Sequence, residues 1–118
     1  MQYLLMLYSE EGGWPKLTRA EQEERMAAYG AFTEALRKAD ALMGVNRLQA
    51  TSAATTVRVA NGKSQVLDGP YADSKEQLGG YFLIDVPDLD AAISWAARCP
   101  AASHGIVEVR PTWAMPSA

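Results

Sequence analysis

The residues with most capacity for chemistry fall in one short run, Asp68-Gly69-Pro70-Tyr71-Ala72-Asp73-Ser74-Lys75-Glu76-Gln77-Leu78-Gly79-Gly80-Tyr81. A carboxylate held at a strand end beside a low-dielectric cavity is poised as a general acid or base. Asp68 fits that description, and the other reading of it is a turn cap bonded to nearby backbone amides. Gly69-Pro70-Tyr71-Ala72 predicts a β-turn with Pro70 at its second position, where the ring already holds the required φ. Lys75 and Glu76 either orient a ligand or form a solvated charge pair at the start of a short helix. Near the end of the chain, Glu108 and Arg110 are two residues apart, hence on one face of a strand and able to pair. His104, the one histidine, is either a structural or exposed residue at a strand edge or a proton shuttle acting with a carboxylate. Asp68 is therefore the candidate catalytic residue. Tyr8, Tyr71, Lys75, Tyr81, Glu108 and Arg110 are the candidate ligand contacts.

The elements that must position these groups follow from periodicity. Tyr3 to Tyr8 is a near-continuous apolar run, as expected of a central strand. Gly12, Gly13 and Pro15 make the next segment a loop, in which Trp14 is a lid or a surface-packed ring. Thr18-Arg19-Ala20-Glu21 fits a capping box. The helix it starts runs to about Asp40 and carries Met26, Tyr29, Phe32, Leu36 and Ala39 on one stripe. Leu42 to Leu48 predicts a short strand. Thr55 to Leu67 predicts a hairpin turning at Asn61-Gly62, with Val57 opposite Val66 on a dry side and Arg58 opposite Gln65 on a wet one. Tyr81 to Val86 reads as a strand entered through Gly79-Gly80. Asp88 caps a second helix with Leu89, Ala92, Ile93, Ala96 and Ala97 on its apolar face, and Pro100 stops it. Gly105 to Arg110 is the last strand, and the tail starts at Pro111.

This is the split βαβ order of a ferredoxin-like α+β sandwich with an inserted hairpin: an antiparallel sheet with both helices on one face. Alternation places Phe82, Ile84, Val86, Val107 and Val109 on the helix side. Tyr81, Leu83, Asp85, His104, Ile106, Glu108 and Arg110 are then expected on the open side. That mixed face suits a dimer interface enclosing a polar cavity.

Composition narrows the partners. The 118 residues suffice for one domain with its own core. A net charge of −3 with no Lys/Arg block argues against nucleic acid or an anionic membrane. Small molecules and other protein chains remain. With a single cysteine, Cys99, neither an intrachain disulfide nor a cysteine zinc cage can form. Cys99 reads as a buried packing residue, and no metal or other cofactor is expected. The apolar N-terminus is too short to span a bilayer and lacks a cationic leader, so a cytoplasmic protein is expected.

Several stretches together resemble the YCII-related family in its DGPF-motif branch. They are Tyr3 to Tyr8, Asp68-Gly69-Pro70-Tyr71, Lys75 to Tyr81, Asp85-Val86-Pro87-Asp88-Leu89-Asp90, Trp95 to Pro100, and Val107-Glu108-Val109-Arg110-Pro111. Tyr71 stands where the motif has Phe. The resemblance implies a homodimeric α+β barrel, built by packing two open faces together. Some relatives in the wider group carry a His and Asp pair in the cleft; this chain has Asp68 but no matching histidine. The residues leave two functions open, and the resemblance adds a sigma-factor link to the second. One is a small-molecule enzyme of isomerase, lyase or lactone-type chemistry, using Asp68, with Tyr81 and Arg110 placing an anionic or carbonyl substrate. The other is a non-catalytic ligand-sensing or regulatory module linked to an alternative sigma factor.

Overall fold

The structure is a computed structural model and describes residues 1–114. Its elements are β1 (Gln2–Ser9), α1 (Arg19–Lys38), β2 (Leu42–Arg47), β3 (Thr55–Ala60), β4 (Lys63–Asp68), β5 (Gln77–Asp85), α2 (Leu89–Arg98), the single turn α3 (Ala101–His104) and β6 (Ile106–Pro111). Two 3-10 turns, Glu11–Lys16 and Thr51–Ala53, lie in the connections. The expected tail thus begins inside β6, and its last four residues lie outside those described.

Four strands form an antiparallel sheet in the order β2-β5-β1-β6, and β3-β4 form a separate two-stranded sheet. This is the ferredoxin-like arrangement with a hairpin inserted between β2 and β5. Alternation along β1 and β5 sends Tyr3, Leu5, Phe82 and Ile84 to one face. There they are buried with Phe32 and Leu36 of α1 and Ala92 and Ala96 of α2. Val107 and Val109 of β6 pack against the same cluster, so the helix side is the one expected. Phe32 sits edge-on to Phe82 at 5.0 Å and to Trp95 at 6.1 Å. Such pairs add about 0.5–1.5 kcal/mol each beyond area burial.

The capping box forms as expected: the Thr18 hydroxyl accepts from the Glu21 amide at 3.1 Å, and the Glu21 carboxylate accepts from the Thr18 amide at 3.0 Å. Those bonds hold the Glu21 carboxyl below its ordinary range. The stripe of α1 is buried only in its middle, at Phe32 and Leu36. Met26 is 51 % exposed. In α2 the buried face is rotated from the expected one. Ala92, Trp95, Ala96 and Cys99 face the core while Leu89 and Ile93 are half exposed. Ala92 and Ala96 are buried in the same core as the Phe32–Phe82 pair, and Trp95 packs against Phe32 from its edge.

The Asn61-Gly62 turn has φ of 51° and 74°, as a type I′ turn requires, and the strand register pairs Val57 with Val66 and Arg58 with Gln65. The expected dry side is nonetheless uncovered, with Val57 61 % and Val66 62 % exposed. After β4 the chain departs from expectation. No hydrogen-bonded turn closes between Gly69 and Ala72 and no helix starts at Lys75; residues 69–76 form an irregular loop. The Gly69 amide instead donates to the Ala54 carbonyl at 2.8 Å, tying this loop to the connector after β2. Gly79 and Gly80 lie inside β5, where a Cβ on Gly80 would come within 2.9 Å of the Asn46 carbonyl oxygen. Glycine there lets β2 and β5 pair closely.

Candidate functional site

The uncovered face of the sheet is laid out by cross-strand pairs, which share a face. Leu4 lies between Arg110 and Leu83, Met6 between Glu108 and Tyr81, and Tyr8 between Ile106 and Leu78. Asn46 of β2 lies beside Tyr81 and donates to its hydroxyl at 2.7 Å. Arg110 donates to Glu108, so the expected ion pair is formed. An apolar band of Leu4, Met6, Leu83 and Ile106 is thus bordered by Tyr81, Asn46, Glu108 and Arg110.

At the Tyr8 end of this face lies a cleft of about 640 Å³. Tyr8, Gln77 and Leu78 reach it from the paired ends of β1 and β5. One wall is the connector from Leu48 to Ala54, and the other is the irregular loop, through Pro70, Ala72 and Ser74. Every lining residue is uncharged. Of these, the sequence singles out Tyr8 as a candidate ligand contact and Pro70 to Leu78 as part of the chemistry-rich run; the connector from Leu48 to Ala54 carries no signal until the loops are folded.

Hydrogen bonds from Glu11, which is outside the lining, and among the lining residues Thr51, Ser74 and Gln77 hold the walls together. The Glu11 carboxylate accepts from the Thr51 amide at 2.6 Å and the Thr51 hydroxyl at 2.8 Å. Gln77 accepts from the Glu11 amide at 3.0 Å through Oε1 and donates to the Ser74 carbonyl at 2.8 Å through Nε2. One carboxylate and one amide thereby connect three loops that are far apart in sequence. Trp14 is half-buried in the first of them, with the Arg47 guanidinium 5.0 Å from its ring centre.

The other candidates are dispersed. Asp68 is exposed at the end of β4, opposite Thr55. The chain beside it is held by the Thr56 hydroxyl donating to the Gly69 carbonyl at 2.7 Å, so a backbone carbonyl, not the carboxylate, anchors that bend. Tyr71 is 80 % exposed. Lys75 pairs with Glu10 at 3.6 Å across exposed surface. Tyr81, Glu108 and Arg110 share the open face, and Asp68 is not among the residues lining the cleft.

His104 is not on the open side. Pro100 ends α2 but caps one more helical turn, which the Ser103 hydroxyl braces by donating to the Pro100 carbonyl at 2.8 Å. His104 closes that turn with its Nε2 3.5 Å from the Tyr29 hydroxyl of α1. Gly105 then lets the chain pass against β1: a Cβ there would lie 2.2 Å from the Tyr8 carbonyl oxygen. Burial, aided by Arg25, lowers the His104 pKa. Burial also pushes the Tyr29 phenol up to about 12 and raises the thiol of Cys99, which is buried as expected. Each shift disfavours the charged form of its group.

Among the described residues no cluster of three or more His, Cys, Asp or Glu side chains is placed to hold a metal ion, and no helix is long and apolar enough to cross a membrane. Against known proteins, the family model of the YCII-related domain matches residues 1–116. An uncharacterised protein of Rhizobium meliloti (strain 1021) is 38 % identical over 113 residues, covering 94 % of this chain and 91 % of that protein.

Proposed function

We propose that this chain, which belongs to the YCII-related domain family, is a homodimeric small-molecule-binding protein whose ligand occupies the cleft at the Tyr8 end of the open sheet face. The carrying observation is the cleft itself, about 640 Å³ and lined wholly by uncharged residues. That volume falls in the range of small-molecule sites. A carboxylate or ammonium brought there would shed water without meeting a counterion, which is costly. The ligand is therefore neutral, with an apolar body and a hydroxyl, carbonyl or amide within reach of Tyr8, Gln49 or Ser74. Tyr8 and Leu78 belong to both the cleft and the open face. A second copy packed on that face closes one side of the site.

The binding reading is favoured over a catalytic one because the lining holds no acid and base in contact. The test compares an aromatic alcohol with the matching carboxylate, by thermal shift and calorimetry, on the wild type and on Tyr8→Ala. The alcohol is expected to bind wild type and to lose most of its affinity for Tyr8→Ala. Binding of the carboxylate in preference to the alcohol would overturn the assignment.

One observation supports a second reading, acid or base chemistry by Asp68. The backbone beside it is tethered to Ala54 of the cleft wall through the Gly69 amide, which supports a place for Asp68 at the margin of the cleft. Under that reading a bound neutral ester or lactone is turned over by the wild type and bound, but not turned over, by Asp68→Asn. Equal turnover by both proteins would remove Asp68 from the chemistry. A ligand that stabilises the protein and is recovered unchanged favours the sensing role.

A further inference from the structure

Most polar groups lining the cleft are already bonded within the protein, which narrows what remains for a ligand. The Thr51 hydroxyl donates to Glu11, and the Ser74 hydroxyl donates to the Glu76 carbonyl. Both ends of the Gln77 amide are taken, by the Glu11 amide and the Ser74 carbonyl. The backbone of the connector is engaged too: the carbonyls of Ala50, Thr51 and Ala54 accept from the amides of Ala53, Ala54 and Gly69. Among the described residues, the lining side chains whose polar groups bond to no other protein group are Tyr8, by its hydroxyl, and Gln49, by its amide.

The strands set where these two stand. Tyr8 pairs with Leu78 across β1 and β5. On the other side of β5, Arg47 pairs with Gly80, and the Leu48 amide donates to the Gly79 carbonyl at 2.9 Å, which carries the β2 register one residue past the strand. The same register sets Gln49 level with Leu78. Tyr8, Leu78 and Gln49 thus form a row across three strands, with the backbones at its two ends about 10 Å apart. All three line the cleft, Tyr8 half-buried and Gln49 exposed. The row has a polar group at each end and an apolar side chain between them.

A side-chain amide selects more narrowly than a hydroxyl. A hydroxyl rotates to donate or accept, whereas the carbonyl and NH2 of glutamine lie side by side in one plane and call for a donor beside an acceptor. Another amide supplies that pair through two parallel hydrogen bonds. An ester supplies the acceptor alone and leaves the Gln49 carbonyl facing it without a proton. We propose that Gln49 is the specificity-determining residue of the cleft, selecting a neutral ligand that carries an amide, with an apolar body over Leu78 and a second polar group at Tyr8. This role for Gln49 rests on the cleft being a ligand site, as proposed above, and holds with or without a second copy of the chain.

NMR titrations compare para-hydroxybenzamide with methyl para-hydroxybenzoate, which keeps the ring, hydroxyl and carbonyl but lacks the N–H, on the wild type and on Gln49→Leu. Benzyl alcohol is titrated beside them as the measure of the cleft itself. Gln49 is exposed and its side chain bonds to nothing in the protein, so its replacement leaves the fold intact. The wild type is expected to bind the amide about tenfold or more tighter than the ester. Gln49→Leu is expected to bring the two within about twofold of each other and to bind benzyl alcohol as the wild type does. A wild type that takes the alcohol without preferring the amide to the ester, or a preference that persists in Gln49→Leu, overturns the role of Gln49 and leaves the cleft as a ligand site. A wild type that binds none of the three compounds overturns both.

Discussion

At the scale of single residues, Gly105 is the position where one methyl group matters most. It adjoins both β6 and the His104 turn, and a Cβ there would lie 2.2 Å from the Tyr8 carbonyl oxygen and 3.1 Å from the Ser9 Cβ. Neither neighbour is the free end of a flexible side chain, so backbone must move. Gly105→Ala is expected to destabilise the fold by about 1–3 kcal/mol, read as a lower midpoint in urea, and to disturb Tyr8 at the cleft. An unchanged midpoint would mean that β1 and β6 shift apart at no cost. His104 gives a pH dependence of definite sign. Its pKa is lowered on folding by burial and then by Arg25, so the unfolded chain takes up the proton first as pH falls. Its contribution is full above the unfolded value of about 6.5 and is lost as pH drops through the folded value. The thermal midpoint of the wild type is expected to fall more between about pH 7.5 and 5.5 than that of His104→Asn. Equal losses in the two proteins would assign the pH dependence to other groups.

At the scale of elements, the cleft is a product of loops, and the loops depend on one acid. Glu11 holds Thr51 by two hydrogen bonds and passes its own amide to Gln77. Hydrogen bonds to a charged group contribute about 1.5–3 kcal/mol where they are shielded from water, and less where they are half exposed as here. Glu11→Ala is expected to weaken binding of a neutral cleft ligand about tenfold or more and to speed exchange of the Thr51 amide, with the sheet amides unaffected. Slowed binding with normal Thr51 exchange would point to a direct contact instead. This network was not legible in the sequence, for a physical reason. The capping box, the Asn61-Gly62 turn and the alternation of Phe82, Ile84, Val107 and Val109 are local signals, so the order of elements and the helix side follow from neighbouring residues. Glu11, Thr51 and Gln77 meet only after three loops converge, and no spacing announces that. The placements that missed have the same origin. Strand alternation places His104 on the open face, but one added helical turn after Pro100 carries it to α1. The loop after Asp68 closes no hydrogen-bonded β-turn; the Gly69 carbonyl, the acceptor such a turn would use, is instead held by the Thr56 hydroxyl from across the chain.

At the scale of the whole molecule, the thin plate makes the mode of association measurable without atomic detail. A single chain spans 48 Å in two directions and 19 Å in the third, with a Cα radius of gyration of 16.5 Å. Two plates stacked through their open faces have centres about one thickness apart. Adding half that separation in quadrature gives a dimer radius of about 19 Å. Two plates joined edge to edge have centres about one width apart, and the same construction gives about 29 Å. Small-angle scattering from the homodimer proposed above is therefore expected to show a doubled mass with only a slight rise in radius. The face-to-face arrangement is the one in which Leu4, Met6, Leu83 and Ile106 leave water, and it brings the Tyr8 edge of each cleft against the other copy. A doubled mass at the larger radius would instead place the contact at a strand edge. The cleft would then have to complete its site within one chain.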